Sequence, residues 1–199
     1  MQREIKSKME VFILDIEWRD NKKDSQILEL AVVSEQTGEV LFNEVFQQED
    51  GIDVSSYKIN NLGFCQETIN NARPLSYYKP MLIAIMKGGL IATYGKRDLD
   101  SLPWLKPHIL YSDICQRFSD RYGSYSIYHG DHTWVSLRDA CFIVGYEPNG
   151  IQHRALTDAL SAREVWRYLD NNTNTNSLIN DYVGFDNVVR FPKKIGQQL

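Results

Sequence analysis

No apolar run in this 199-residue chain approaches the roughly 18 residues that cross a membrane, so a membrane-spanning helix is not expected. The start, Met1 to Met9, is polar and charged. It has neither the apolar stretch nor the small-residue cleavage site of a secretory signal, and the expected location is the cytoplasm. Cysteine is sparse. Cys65, Cys115 and Cys141 make no CxxC pair and no zinc spacing, and their odd number argues against a disulfide framework. Buried, reduced thiols are expected, and no base partner nearby marks any of them as a nucleophile. Positive charge is not in excess either. A net charge of −4 does not suit a protein that coats nucleic acid nonspecifically. It is compatible with an enzyme that gathers carboxylates in its active site. With 43% hydrophobic and 24% charged residues, the composition is that of one ordinary globular domain with a sizeable core.

What the chain does have is a pair of acids at the end of an apolar run, Val11-Phe12-Ile13-Leu14-Asp15-Ile16-Glu17. The run reads as a buried strand. Successive strand side chains alternate faces, so Asp15 and Glu17 point the same way, about 7 Å apart. Two carboxylates on one face of a core strand repel and lose hydration. A hard cation between them would offset that cost, since Mg²⁺ and Mn²⁺ prefer carboxylate oxygens.

The pattern around this strand is α/β. Gln26 to Val33 and Glu39 to Phe46 read as two further strands, joined by short turns into an antiparallel meander. Leu62 to Ala72 and Leu75 to Met86 read as helices, the second started by Pro74 and ended at Gly88-Gly89. A strand over Leu90 to Tyr94 and a short helix over Asp98 to Leu102, stopped by Pro103, follow. Then come a strand over Ile109 to Ile114 and a helix over Cys115 to Tyr122. Another helix spans Trp134 to Val144 and closes at Gly145, and a long one spans Arg154 to Leu169, with Ala155, Ala159, Ala162 and Trp166 along one side. Residues 1–170 form one domain in this reading. Residues 171–199 are a polar Asn/Thr linker and a weakly patterned tail. A meander followed by alternating helices and strands gives a mixed sheet covered by helices.

Three more positions complete a constellation. Asp98 follows the strand-like Leu90-Ile91-Ala92-Thr93-Tyr94 where the chain leaves the sheet. His153 and Asp158 lie in His153-Arg154-Ala155-Leu156-Thr157-Asp158-Ala159, with Asp158 on the alanine-lined side of the last helix. An acid there approaches the sheet closely and needs a partner. The order Asp-x-Glu, then Asp, then His-x-x-x-x-Asp resembles the DnaQ-like 3′–5′ exonucleases, the His-containing branch of the DEDD superfamily, over roughly residues 10–170. Asp15 and Glu17 stand in the opening motif and Ile27 to Val33 in the strand with an embedded Glu. Ile91 to Asp98 is similar to the middle motif, Trp134 to Gly145 to the helix before the last one, and His153 to Ala159 to the final His-x-Ala-x-x-Asp-Ala.

The resemblance implies an RNase H-like fold, an antiparallel three-strand meander plus parallel strands flanked by helices. It implies two divalent cations, Mg²⁺ or Mn²⁺, held about 4 Å apart by Asp15, Glu17, Asp98 and Asp158, with Asp15 bridging. His153 would be the general base, an imidazole titrating in the neutral range. The implied reaction is release of nucleoside 5′-monophosphates from a 3′ end of single-stranded DNA or RNA. Trp18 stands where the family usually has Thr or Ser, Tyr94 where it has Asn, and Arg97 where it has an aromatic. These departures bear on substrate choice, and Trp18 and Tyr94 are candidates for stacking or hydrogen bonding.

Several readings stay open. Lys96 and Arg97 contact substrate phosphates or form a solvated turn. Asn61, Leu62 and Phe64, around Gly63, resemble the family's segment that wedges against terminal bases, or simply start a helix. His129 and His132 are a metal pair or a polar loop without a third ligand. Asp100 competes with Asp98 but faces elsewhere on the same helix. A nuclease-like module that binds nucleic acid, a protein partner or a second copy without cutting is the competing function. Loss of a carboxylate would favour it, and none is lost.

Overall fold

The computed structural model describes residues 9–20, 25–48, 54–128 and 130–171. The expected tail, all but Asn171, lies outside the described residues, as do His129 and most of the first turn.

Five strands form one sheet. β1 (Val11–Trp18), β2 (Ile27–Ser34) and β3 (Val40–Val45) pair antiparallel as the expected meander. β4 (Leu90–Thr93) and β5 (Leu110–Asp113) then add parallel strands on the other side of β1, giving the order β3-β2-β1-β4-β5. β1 is therefore central, covered on both faces, and its near-continuous apolar run reflects that. Its odd-numbered residues Val11 and Ile13 join Val33, Leu90 and Ala92 in one core layer. Its even-numbered residues Phe12, Leu14 and Ile16 join Leu30, Val32, Phe42 and Ile91 in the opposite layer.

Helices complete the two layers. α3 (Leu75–Met86) places Leu82 and Met86 on the even-numbered face. α5 (Ile114–Tyr122), α6 (Leu137–Val144) and α7 (Ala155–Asn171) cover the odd-numbered face. The residues of α7 that meet the sheet layer include Ala155, Ala159 and Ala162, all fully buried. Three methyl groups in a row let the axis of α7 come close to β1 and β2. Asp15 and Glu17 continue the Val11–Ile13 face, so they point toward this helix rather than toward solvent.

Several boundaries differ from the sequence reading for identifiable reasons. Leu62 to Ala72 is not one helix. α1 (Ser56–Leu62) ends at Gly63, whose φ of 68° is left-handed, and α2 (Gln66–Asn71) begins after it. The Gly63 and Phe64 amides both turn back onto the Lys58 carbonyl, a C-terminal cap that makes the break. α4 (Lys96–Asp100) starts two residues before Asp98, which places that acid in its first turn. α6 begins at Leu137 because the Ser136 hydroxyl accepts the Asp139 N–H, leaving Trp134 and Val135 outside. A two-residue hairpin, β6 (Tyr125–Ser126) with β7 (Asp131–His132), was not expected. All three thiols are free, but Cys65 is exposed at the start of α2, contrary to the expectation of burial, while Cys115 and Cys141 are buried. Among the described residues no helix is long and apolar enough to cross a membrane.

Gly89 enters β4 pressed against the buried Phe12 ring and 3.0 Å from the Glu10 carbonyl, measured from where a β-carbon would stand. Gly89→Ala should therefore destabilise the protein by about 1–3 kcal/mol, the usual cost of overpacking. Urea unfolding would read this as a lower midpoint at unchanged slope.

Candidate active site

The site is assembled on the odd-numbered face of β1. Asp15 is buried there, and its carboxyl is raised well above the usual carboxylate range. Burial is the main cause, followed by the negative charges of Asp98, Asp158, Glu17 and Glu29. Glu17, two residues on, is raised by burial, partly relieved by the Lys58 ammonium. Asp98 enters from the first turn of α4. Burial and the charges of Glu17, Asp113 and Asp158 push it up to about 8, against the opposing pull of Arg97. Asp158 comes from the first turn of α7 and is raised chiefly by burial.

His153 completes the group from the loop before α7. It is the only non-glycine with positive φ among the described residues, at 64°. The Asp158 carboxylate accepts the His153 backbone N–H at 3.2 Å, which holds this left-handed turn. The imidazole, Glu17 and Asp158 each present an atom within 4.8 Å of the others. The structure thus joins residues from positions 15–17, 98 and 153–158. Oxygen-rich donors of net negative charge, with one imidazole, fit a hard divalent cation.

The other predicted residues fall in different places. Trp18 lies at the end of β1 with the Arg97 guanidinium 4.3 Å above its ring. Lys96 is exposed and pairs with Asp100, which also takes Lys106, so Asp100 is turned to the surface away from the acid group. The Tyr94 hydroxyl donates to the Val135 carbonyl at 2.7 Å and ties β4 to the segment before α6. Leu62 and Phe64 are buried in a small cluster with Leu28, Val54 and Ile69. Asn61 is exposed and donates to the Tyr57 carbonyl.

Lys58 and Asp113 escaped the sequence reading, and Glu29 stood there only as the embedded Glu of the second strand. Glu29 faces Glu17 across the β1–β2 pairing. It accepts Arg154 Nη2 at 2.7 Å, Arg154 Nε at 3.1 Å and the Ala155 N–H at 2.9 Å. This fork locks the start of α7 to the sheet. Lys58, from α1, donates to Glu17 at 3.0 Å. Asp113, at the end of β5, caps α5 by accepting the Gln116 N–H and adds its charge to the field at Asp98. The Asp-x-x-Gln spacing was a readable capping signal. Asp120, Asp131 and His132 form a second group with ligand atoms within 4.8 Å, and His129, the other half of the histidine pair weighed from the sequence, lies outside the described residues. Beside His153 and Asp158 a cavity of about 290 Å³ opens toward α6, lined also by Ser136, Arg138, Cys141 and Gln152.

No family model matches the sequence, and no curated protein matches it. Solved structures do match. A 3′-exonuclease in 3′-end-specific recognition of a histone mRNA stem-loop has a TM-score of 0.61 at 16% identity, covering 82% of each chain. Pop2p of S. pombe, in its Mg²⁺- and Mn²⁺-bound form, has a TM-score of 0.61 at 13% identity, covering 85% of this chain and 86% of that one. Exonuclease X in complex with 5′-overhanging duplex DNA has a TM-score of 0.59 at 12% identity, covering 82% and 92%. At such identities the likeness establishes the fold, the RNase H-like mixed sheet flanked by helices.

Two outcomes follow from this geometry. Asp98 is held near 8 in the fold against an ordinary value of 3.8, so the native state binds a proton that the unfolded chain releases. Its penalty is absent below the unfolded value and grows until the pH passes about 8, so metal-free protein should lose stability as pH rises through that window. Thermal unfolding in chelator across pH should show this decline, and Asp98→Asn should make it shallower, the remainder coming from the raised Asp15, Glu17 and Asp158. Glu29→Ala leaves Arg154 and the Ala155 N–H without their acceptor. Arg154 keeps some solvent contact, so the expected loss is roughly 2–3 kcal/mol, below the ~3–5 of a fully buried pair. Urea unfolding measures it.

Proposed function

We propose that the protein is a metal-dependent 3′→5′ exonuclease that hydrolyses phosphodiester bonds at the 3′ end of single-stranded DNA or RNA and releases nucleoside 5′-monophosphates. The observation that carries this reading is the convergence of Asp15, Glu17, Asp98, Asp158 and His153 from three separated segments, with Asp15 buried at the base of the group and His153 exposed at its edge. Asp15, Glu17, Asp98 and Asp158 would hold Mg²⁺ or Mn²⁺. Bound there, divalent cations supply charge stabilisation to the attacking and leaving oxygens of a phosphodiester displacement.

The chain's own residues do the rest. His153 is displayed on a left-handed turn at the mouth of the acid group, where its imidazole can take a proton from an attacking water. Asp158 holds that turn through the His153 N–H, so it acts on both the cation and the base. The α6-side cavity, with Arg138 and Ser136 on its wall, offers polar contacts to the strand leading into the site. Trp18 packs under Arg97 against the even-numbered core layer, whereas Lys96 is exposed two residues before Asp98, where a phosphate could be met.

Asp15→Asn or Asp158→Asn should lower cleavage by more than the ~10–100-fold typical of changes behind the metal ligands. His153→Ala should lower the rate by ~10²–10⁴-fold. The assay is a product ladder from 3′-tailed and blunt DNA and RNA oligonucleotides with Mg²⁺, Mn²⁺ or chelator. Full activity in the Asp15 variant would refute the assigned site. A ladder shortened from the 5′ end would refute the polarity.

A further inference from the structure

We propose that Lys58 is a displaceable counter-cation. Its ammonium holds Glu17 while that carboxylate has no metal, and it transfers to a phosphate of the nucleic acid when Glu17 takes a divalent cation. The proposal rests on the metal-site reading above and concerns a residue that the acidic motifs do not include.

The case starts from two glutamates on neighbouring strands. Glu17 and Glu29 face each other in the β1–β2 register, and each has one basic partner. The two partnerships differ in kind. Arg154 grips Glu29 with Nε and Nη2, the Ala155 N–H adds a third donor, and Arg154 Nη1 also donates to the Leu62 carbonyl at 3.2 Å. That planar fork is anchored in the chain at the head of α7 and has nowhere else to go. Lys58 offers Glu17 a single ammonium contact at 3.0 Å, carried on a flexible stem from α1, a helix of 7 residues. Such a contact can be exchanged without moving the backbone.

Both cations lie over the Phe64 ring, Lys58 Nζ 5.6 Å and Arg154 Cζ 4.4 Å from its centroid. Both members of the Lys58–Glu17 pair are little exposed, at 13% and 12%, so the ammonium substantially compensates the acid group in the absence of metal. Glu17 is also the one carboxylate of the His153 and Asp158 group with this basic partner. A divalent cation and an ammonium on one carboxylate repel each other. When Glu17 turns to a cation, Lys58 loses its acceptor at the same place where a substrate phosphate brings a new one. Metal and nucleic acid would then bind with positive coupling, and Lys58 would be the positioning residue that links them.

The test is Mn²⁺ titration by calorimetry without nucleic acid, using wild type, Lys58→Gln, Lys58→Arg and Glu17→Gln. A second arm measures anisotropy of labelled single-stranded oligodeoxynucleotide and oligoribonucleotide in Ca²⁺. Lys58→Gln should tighten Mn²⁺ binding several-fold by removing the competitor, and should weaken oligonucleotide binding about tenfold. Lys58→Arg should weaken Mn²⁺ binding, because a guanidinium fork holds Glu17 more firmly. Loss of any positive charge beside Glu17 favours a cation, so the two arms are read together: equal or weaker Mn²⁺ binding by a folded Lys58→Gln protein overturns the proposal, and so does tighter Mn²⁺ binding with oligonucleotide binding unchanged. If that variant does not fold, Lys58→Arg decides, and Mn²⁺ binding as tight as wild type or tighter overturns it. Wild type and Glu17→Gln binding Mn²⁺ alike would instead remove the metal-site reading, a result separate from the behaviour of Lys58.

Discussion

Burying several carboxylates on one face of a central strand is the constraint around which this molecule is arranged. Desolvation and mutual repulsion act together at Asp15, and each neighbouring acid adds to the cost. A core strand tolerates this only where compensating charge is supplied. The fold answers with Lys58 on Glu17, Arg154 on Glu29 and Arg97 beside Asp98. The remaining imbalance is what suits the face to a hard cation.

The same constraint explains why α7 is built as it is. Its alanines allow the helix to lie close to β1 and β2, and that closeness carries Asp158 into the acid group. Glu29 then locks the head of the helix in register through Arg154 and the Ala155 amide. The His153 turn sits immediately before this lock. Its strained backbone is held by the Asp158 carboxylate, so the loop and the helix present His153 and Asp158 as one unit. Packing, capping and chemistry here depend on the same few atoms.

Much of the architecture could be read in advance because local rules and tertiary demands agreed. The meander followed from three apolar runs with short turns. α3 was bounded by Pro74 and by the glycines after Met86, and the alanine side of α7 matched its buried face. The reading failed where one residue carried the decision. Gly63 adopts a left-handed conformation and splits a segment that otherwise looks helical. Ser136 moves a helix start by its hydroxyl alone. The β6–β7 hairpin has only two residues per strand, too few for any alternation to register.

The sequence by itself determined which side chains could form a metal-type acid group, because strand alternation puts Asp15 and Glu17 on one face and helical spacing puts Asp158 among the alanines. It also determined the order of elements that makes the fold RNase H-like. Only the tertiary structure decided which charges meet. Lys58 reaches Glu17 across 41 positions, Arg154 reaches Glu29 across 125, and Asp113 enters the field of Asp98 from the next strand. Local propensity carries no record of such pairs, since each is chosen by where the sheet register and the close approach of α7 bring side chains together.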